Sequence, residues 1–138
     1  MSTVSVDILN EFKRNIINFI DELIDQFPSE GDLVIVRIIL KDMAKPLDIM
    51  TNFISKILPF KDMIKARNDS FFLSSGNAAC LFSQLDKTKV NHFKRIWKSS
   101  NLDKEDRDII WTWFDTFIVL AERFQASQTQ QTSQSSEH

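Results

Sequence analysis

A scarcity of turn-forming residues constrains the fold of this chain more than any other feature, because only two glycines and three prolines occur among its 138 residues. Sandwiches and barrels need a turn after each short strand, and glycine and proline supply many of the backbone conformations that tight turns require. Helical bundles need far fewer turns. Because a chain of this length packs around one core by default, the sequence predicts a single compact all-α domain, a bundle of about six helices.

The first predicted helix has the clearest periodicity. Apolar residues recur every three or four positions between Val6 and Phe27, which places them on one helical face. Ser5 is the predicted N-cap. Pro28 predicts the end of the helix, because proline disfavours the α conformation of the residue before it.

The segment Asp32–Lys41 contains the run LVIVRIIL, whose periodicity does not separate a helix from a strand. A strand here would have no second strand to pair with, so we predict a helix, capped by the pair Ser29 and Asp32. Because this helix is apolar nearly all round, we expect it to be the central and most buried one. With the first and last helices it would supply most of an Ile, Phe and Trp core, and Arg37 would have to reach water or an acidic partner.

Two prolines organise the next part of the chain. Pro46 suits the first turn of a third helix, and Pro59 predicts either a kink or a fresh short helix over Phe60–Arg67. A loop over 68–77 and a short helix over 78–85 are predicted to follow. The third helix is expected to direct five side chains into the core, namely Leu47, Met50, Phe53, Ile54 and Ile57.

The last third of the chain contains two further predicted helices and a polar tail. Asp86 can cap a basic helix that ends near Lys98, and Asp103 can cap the final helix. The final helix has a predicted core face of Ile110, Trp113, Phe114, Phe117, Leu120, Ala121 and Phe124. Residues 126–138 are mainly Gln, Ser and Thr, so we expect the folded domain to span 1–125 and the tail 126–138 to be disordered.

The sequence favours a soluble intracellular protein. No stretch approaches the roughly 18 uninterrupted apolar residues of a membrane span. Asp7 and Glu11 lie where a signal peptide would carry basic and apolar regions. The single cysteine, Cys80, excludes an intrachain disulfide and fits a reducing compartment, where we expect it to serve as a small buried hydrophobic residue.

The sequence offers little for catalysis or metal binding. Its only histidines are His92 and His138, which leaves one usable imidazole outside the tail, and Cys80 with His92 lacks the local pattern of a nucleophile and its base. Structural zinc needs four Cys or His ligands, and the chain has three such side chains. We therefore expect no enzyme activity, cofactor or metal. Two groups of acids are interpreted as solvated helix surface: Asp21, Glu22 and Asp25, and Asp103, Glu105, Asp106 and Asp108.

Charge is distributed unevenly along the chain. Residues 56–98 have nine bases and three acids, whereas the segments on either side are each net acidic. The basic residues of the predicted helix over 87–98 are Lys87, Lys89, Lys94, Arg95 and Lys98. They form either an ordinary solvated face or a phosphate-binding or nucleic-acid-binding surface. The opposed charges also leave a homodimer open.

Two stretches, FKRNIINFIDELIDQFPSEGDLVIVRIIL and KVNHFKRIWKSSNLDKEDRDIIWTWFDTFIVLAERFQ, resemble a family of small helical proteins from large nucleocytoplasmic DNA viruses. The resemblance covers roughly Phe12 to Gln125. It implies an infected-cell or virion setting, in the host cytoplasm or the particle with the nucleus left open, and it assigns no activity or site residue. The leading hypothesis is a non-enzymatic protein that binds viral or host protein through helix faces. The alternative is a nucleic-acid or phosphate binder that uses the basic helix.

Overall fold

The computed structural model describes residues 2–73, 96–99 and 102–136. These residues form helices and no strand, which confirms the predicted all-α bundle. None of the helices in these ranges has the length and apolar character needed to cross a membrane. In chain order the helices are α1 (Thr3–Gln26), α2 (Gly31–Asp42), α3 (Pro46–Lys56), a 3-10 turn (Leu58–Phe60), α4 (Lys61–Lys65), α5 (Ser70–Leu73) and α6 (Lys104–Ser136).

Helix α1 begins before the predicted position. Its N-cap is Ser2, whose hydroxyl accepts a hydrogen bond from the backbone N–H of Ser5 at 3.1 Å. The prediction of Ser5 as N-cap is wrong, because Ser5 is fully buried inside the first turn and its hydroxyl lies 2.6 Å from that of Ser127 in α6. Local sequence cannot anticipate such a distant partner. At the other end Phe27 is the C-cap, directly before Pro28, as predicted.

Helix α2 is a helix, as predicted, but it is not the most buried one. One side of it, Leu33, Val36 and Leu40, is buried, whereas the opposite side, Val34, Ile35 and Ile38, is exposed by 44%, 48% and 50%. The prediction fails because an apolar run specifies a helix without specifying how many neighbours surround it, and α2 is buried on one side only. The predicted capping pair is also wrong, since the N-cap is Glu30 rather than Ser29 with Asp32, and Glu30 makes no side-chain cap hydrogen bond.

Two polar contacts fix α2 against α1. Arg37 pairs with the carboxylate of Asp21, which supplies the acidic partner that the sequence analysis required. Lys13 donates from Nζ to the backbone carbonyls of Lys41 at 3.1 Å and Ala44 at 2.7 Å. The lysine thereby satisfies acceptors at the C-terminal end of α2, where a cation also complements the helix dipole.

The region around the two later prolines agrees with the prediction. Pro46 occupies the first turn of α3, and Pro59 lies in a 3-10 turn that separates α3 from the fresh helix α4. The core side of α3 differs in one position, because Leu47 is 42% exposed. The buried residues in this segment are Ile49, Met50, Phe53 and Ile57.

Helix α4 ends in a Schellman motif centred on Arg67. This residue has φ of 55°, and the N–H groups of Arg67 and of the residue after it bond to the carbonyls of Ile64 and Met63, both at 3.0 Å. Residues other than glycine rarely adopt this left-handed backbone conformation, because it brings Cβ too close to the following carbonyl oxygen. Here the guanidinium forms two parallel hydrogen bonds to Asp115, at 2.9 and 2.7 Å, and lies 5.9 Å from the ring centroid of Trp111. The hydrogen bonds to Asp115 raise the pKa of Arg67 above its ordinary value.

Helix α6 begins as predicted and ends later. Asp103 and Asp106 form reciprocal side-chain bonds to each other's backbone N–H, at 2.8 and 3.2 Å, in the manner of a capping box. The helix does not end at Gln125, because it continues to Ser136, and within this extension Ser127 is buried. Composition indicates how little apolar surface the segment can bury. It does not account for the low cost of extending a helix that is already nucleated.

The main core lies where α1, α3 and α6 meet. Phe117 lies at its centre. The centroid of its ring is 5.9, 5.7 and 6.2 Å from those of Phe12, Phe19 and Phe53, and all three pairs have edge-to-face geometry. All four rings are fully buried. Helices α1, α2 and α6 together contribute most of the buried apolar residues that the structure describes, as predicted. Helix α3, which the prediction left out of this group, places Phe53 in the aromatic centre.

A second aromatic cluster attaches α5 and residues 96–99 to α6. Phe72 stacks on Trp97 with a centroid separation of 4.1 Å and an interplanar angle of 26°, and Trp111 of α6 lies 4.6 Å from Phe72. Phe71 is fully buried beside them. The predicted loop over 68–77 therefore contains a short helix whose aromatic residues enter the core.

Candidate functional site

The predicted basic surface lies largely outside the described residues, which exclude Lys87, Lys89, Lys94 and Arg95. Lys98 is described and is exposed at the end of a helical stretch over 96–98. Cys80, His92 and His138 are likewise outside the described ranges. Phosphate or nucleic-acid binding by the 87–98 segment therefore stays a prediction.

The two groups of acids, in contrast, are described, and the structure brings parts of them together. Glu22 and Asp25, near the end of α1, line one groove with Asp106, near the start of α6. From the sequence alone, these acids are predicted to be two groups on solvated helix surface. Two helices that are distant in the sequence pack side by side, so one surface includes acids from both.

This α1–α6 groove has a volume of about 370 Å³. Its floor consists of buried core side chains, and its rim of half-buried or exposed ones, including Ile109, which is 47% exposed. Trp113, which the sequence analysis assigned to the core, is only partly buried and forms one wall. The full lining is Phe19, Glu22, Leu23, Asp25, Gln26, Asp106, Ile109, Ile110 and Trp113.

The lining of the groove has an excess of negative charge. Its lining includes three carboxylates and neither lysine nor arginine. Glu22 and Asp25 lie near the C-terminal end of α1, where the helix dipole is itself negative, and the last turn of α1 has no basic residue. Asp106, however, lies in the first turn of α6, where the helix dipole is positive. The two helix ends therefore oppose each other, and the negative charge of the groove comes from its three carboxylates.

The three carboxylates differ in how much of their hydrogen-bonding capacity is used. Trp113 donates from Nε1 to Oε2 of Glu22 at 2.6 Å, which fixes the indole against the acidic rim. Asp106 accepts the backbone N–H of Asp103 at 3.2 Å. Asp25 is exposed at the rim, where a ligand can reach it directly. Glu22 and Trp113 therefore define the shape of the site, and Asp25 is the carboxylate best placed for an incoming cation.

A second depression extends the groove along α6. It has a volume of about 290 Å³ and shares Glu22, Ile109 and Trp113 with the first. Thr112 and Thr116 complete its lining, and their hydroxyls donate to backbone carbonyls one turn earlier in α6. The extension is therefore less polar than its composition indicates, because both hydroxyl hydrogens are already used within the helix.

The combined surface is a shallow apolar trough with an acidic edge. Within the described ranges, no three His, Cys, Asp or Glu side chains are close enough together to hold a metal ion, so the acids of the groove do not form a chelating cluster. An organic cation attached to an apolar chain complements this surface better than a bare ion does. Comparisons of this chain with protein-family models, curated proteins and solved structures found no match.

Proposed function

We propose that this protein is a non-enzymatic interaction module whose α1–α6 groove binds a basic amphipathic segment of a partner protein. The observation behind this proposal is the placement of three carboxylates, without a lining cation, along an apolar trough between α1 and α6. With the setting that the resemblance implies, the partner is a viral or host protein.

Each part of the groove has a role in this recognition. A lysine or arginine of the partner contacts Asp25 and the outer oxygen of Glu22, while its alkyl stem lies against Ile109. The face of Trp113 offers a further site for a cation, because an indole ring attracts positive charge. An apolar neighbour one helical turn away in the partner occupies the extension beside Thr112, in the manner of a helix bound in a groove.

Model peptides test this proposal with the full-length chain. We would titrate it with a fluorescent helical peptide of leucine and lysine, and with a matched peptide in which glutamate replaces lysine at every position. Binding of the lysine peptide that weakens as salt increases is expected, because rim charges are screened over about 8 Å at physiological ionic strength. Equal affinity for the two peptides would refute the proposal.

A pair of charge-matched variants separates the groove from the net charge of the protein. Asp25→Lys and Asp7→Lys change the net charge by the same amount, and both residues are exposed on α1. They are 18 positions apart, which corresponds to about 27 Å along a helix. Only Asp25 lines the groove.

Reversing one rim charge removes an attraction and adds a repulsion, each worth about 0.2–1 kcal/mol, so Asp25→Lys should weaken binding roughly 2- to 30-fold. Asp7→Lys should change the affinity by less than about twofold, since it is several screening lengths away. Equal losses in the two variants would mean that the peptide responds to net charge rather than to the groove.

A further inference from the structure

The outward side of α2 is apolar and faces solvent. Val34, Ile35 and Ile38 are each exposed by 44–50%, and Met43, directly after the helix, is 75% exposed. Arg37, the charged residue between Ile35 and Ile38, pairs with Asp21 of α1. An ordinary solvated helix face would be mainly polar, so this stripe is the kind of surface that marks an interaction site.

The two ends of the stripe differ in size and charge. At its N-terminal end is Gly31, where an added Cβ would meet no atom within 4 Å, so the backbone of another helix can approach closely. Glu30 precedes this glycine, and the positive end of the helix dipole is here. At the C-terminal end are Lys41 and Asp42, both exposed.

We infer that a second copy of this chain covers the stripe, with the two α2 helices antiparallel about a twofold axis between Ile35 and Ile38. In this arrangement each Ile35 opposes Ile38 of the other copy. Lys41 approaches the end of the second helix that contains Glu30, and Asp42 approaches the positive end of that helix dipole at its Gly31. A parallel pair would instead bring the two Lys41 side chains together, so charge favours the antiparallel arrangement.

The size of the stripe sets the expected strength of the dimer. One face of a twelve-residue helix is smaller than the roughly 800 Å² that each partner contributes to a standard interface, so we expect a weak dimer that dissociates on dilution. Sedimentation equilibrium of the full-length chain between about 10 and 500 µM would show a mass that increases from one chain towards two. A mass of one chain at every concentration would overturn the inference.

The twofold arrangement makes a specific prediction for mixed variants. Ile35→Lys alone should raise the dissociation constant at least about tenfold, because it places a charge against Ile38 of the other copy. Ile38→Glu alone should do the same. An equimolar mixture should dimerise more strongly than either variant, because the introduced lysine of one chain opposes the introduced glutamate of the other and the remaining two isoleucines still meet.

Controls separate this result from a loss of folding. Both isoleucines are half exposed, so circular dichroism and the melting temperature of each variant at 5 µM should remain close to those of the original chain. Val119→Lys, at an equally exposed apolar position on α6, should leave dimerisation unchanged. If the mixture dimerises no better than the separate variants, or if Val119→Lys abolishes the dimer, the antiparallel α2 interface is refuted.

Discussion

The two sides of α2 should respond very differently to truncation to alanine. Leu40 is 1% exposed, and replacing a buried leucine with alanine costs about 2–5 kcal/mol through lost transfer energy and the cavity left behind. Helix α2 lies at the edge of the bundle, where neighbours can relax, so Leu40→Ala should cost about 2–3 kcal/mol. This is a large share of the roughly 5–15 kcal/mol by which native proteins are stable, but it leaves the chain folded.

Ile38→Ala, on the exposed side of the same helix, should cost much less than Leu40→Ala. Truncation to alanine removes three carbons, worth about 2.4 kcal/mol if fully buried at about 0.8 kcal/mol each. Because Ile38 is 50% exposed, truncation should lose roughly half of that burial free energy. The greater helix propensity of alanine stabilises the variant by about 0.4 kcal/mol, which offsets part of this loss. The expected net cost is therefore below about 1 kcal/mol.

The comparison is best made by urea denaturation at about 1 µM, followed by far-ultraviolet circular dichroism. At this concentration a weak dimer makes no contribution to the free energy of unfolding. Unchanged denaturant slopes would show that both variants unfold between comparable states. Equal losses of stability for Leu40→Ala and Ile38→Ala would refute the one-sided packing of α2, and with it the free apolar stripe.

Three further predictions concern α6 and the contacts it makes. Ser127→Ala should lower the free energy of unfolding by about 1–2 kcal/mol, because it removes the buried hydroxyl bond to Ser5 and the bond that Ser127 donates to the carbonyl of Phe124. No loss would mean that the helix beyond Gln125 is not held to α1. Phe117→Ala should cost about 3–5 kcal/mol in the same assay, and a cost below about 1 kcal/mol would contradict its position at the centre of the core. Arg67→Gly should be more stable than Arg67→Lys by about 1 kcal/mol. Both variants lose the paired bonds to Asp115, but only glycine adopts φ of 55° freely. The reverse order of stability would refute backbone strain at position 67.

Sequence by itself determined the features that depend on near neighbours. Pro28 and Pro59 interrupt helices because proline restricts the backbone on its N-terminal side wherever it occurs. Asp103 caps α6 because its bonding partners lie within one helical turn. The periodicity of α1 identified its buried side for the same reason, since every helix has the same 3.6-residue repeat.

The N-cap of α1, in contrast, depends on a contact between residues that are distant in the sequence. Ser2 and Ser5 are both acceptable N-caps by residue type. The hydroxyls form a chain in which Ser2 donates to Ser5 at 3.0 Å, Ser5 contacts Ser127 at 2.6 Å, and Ser127 donates to the carbonyl of Phe124 at 2.7 Å. A partner 122 positions away thus explains why Ser5 is buried in the helix rather than capping it.

The candidate sites depend on tertiary packing in the same way. Glu22 and Asp106 are acidic in any fold, and they share a groove only because α1 lies against α6. The run LVIVRIIL is apolar in any fold, and Ile35 and Ile38 face solvent only because α2 is packed on one side. Sequence determines helices through interactions within a few residues, whereas burial and charge at a surface depend on which helices become neighbours, and that choice is made by the free energy of the whole core.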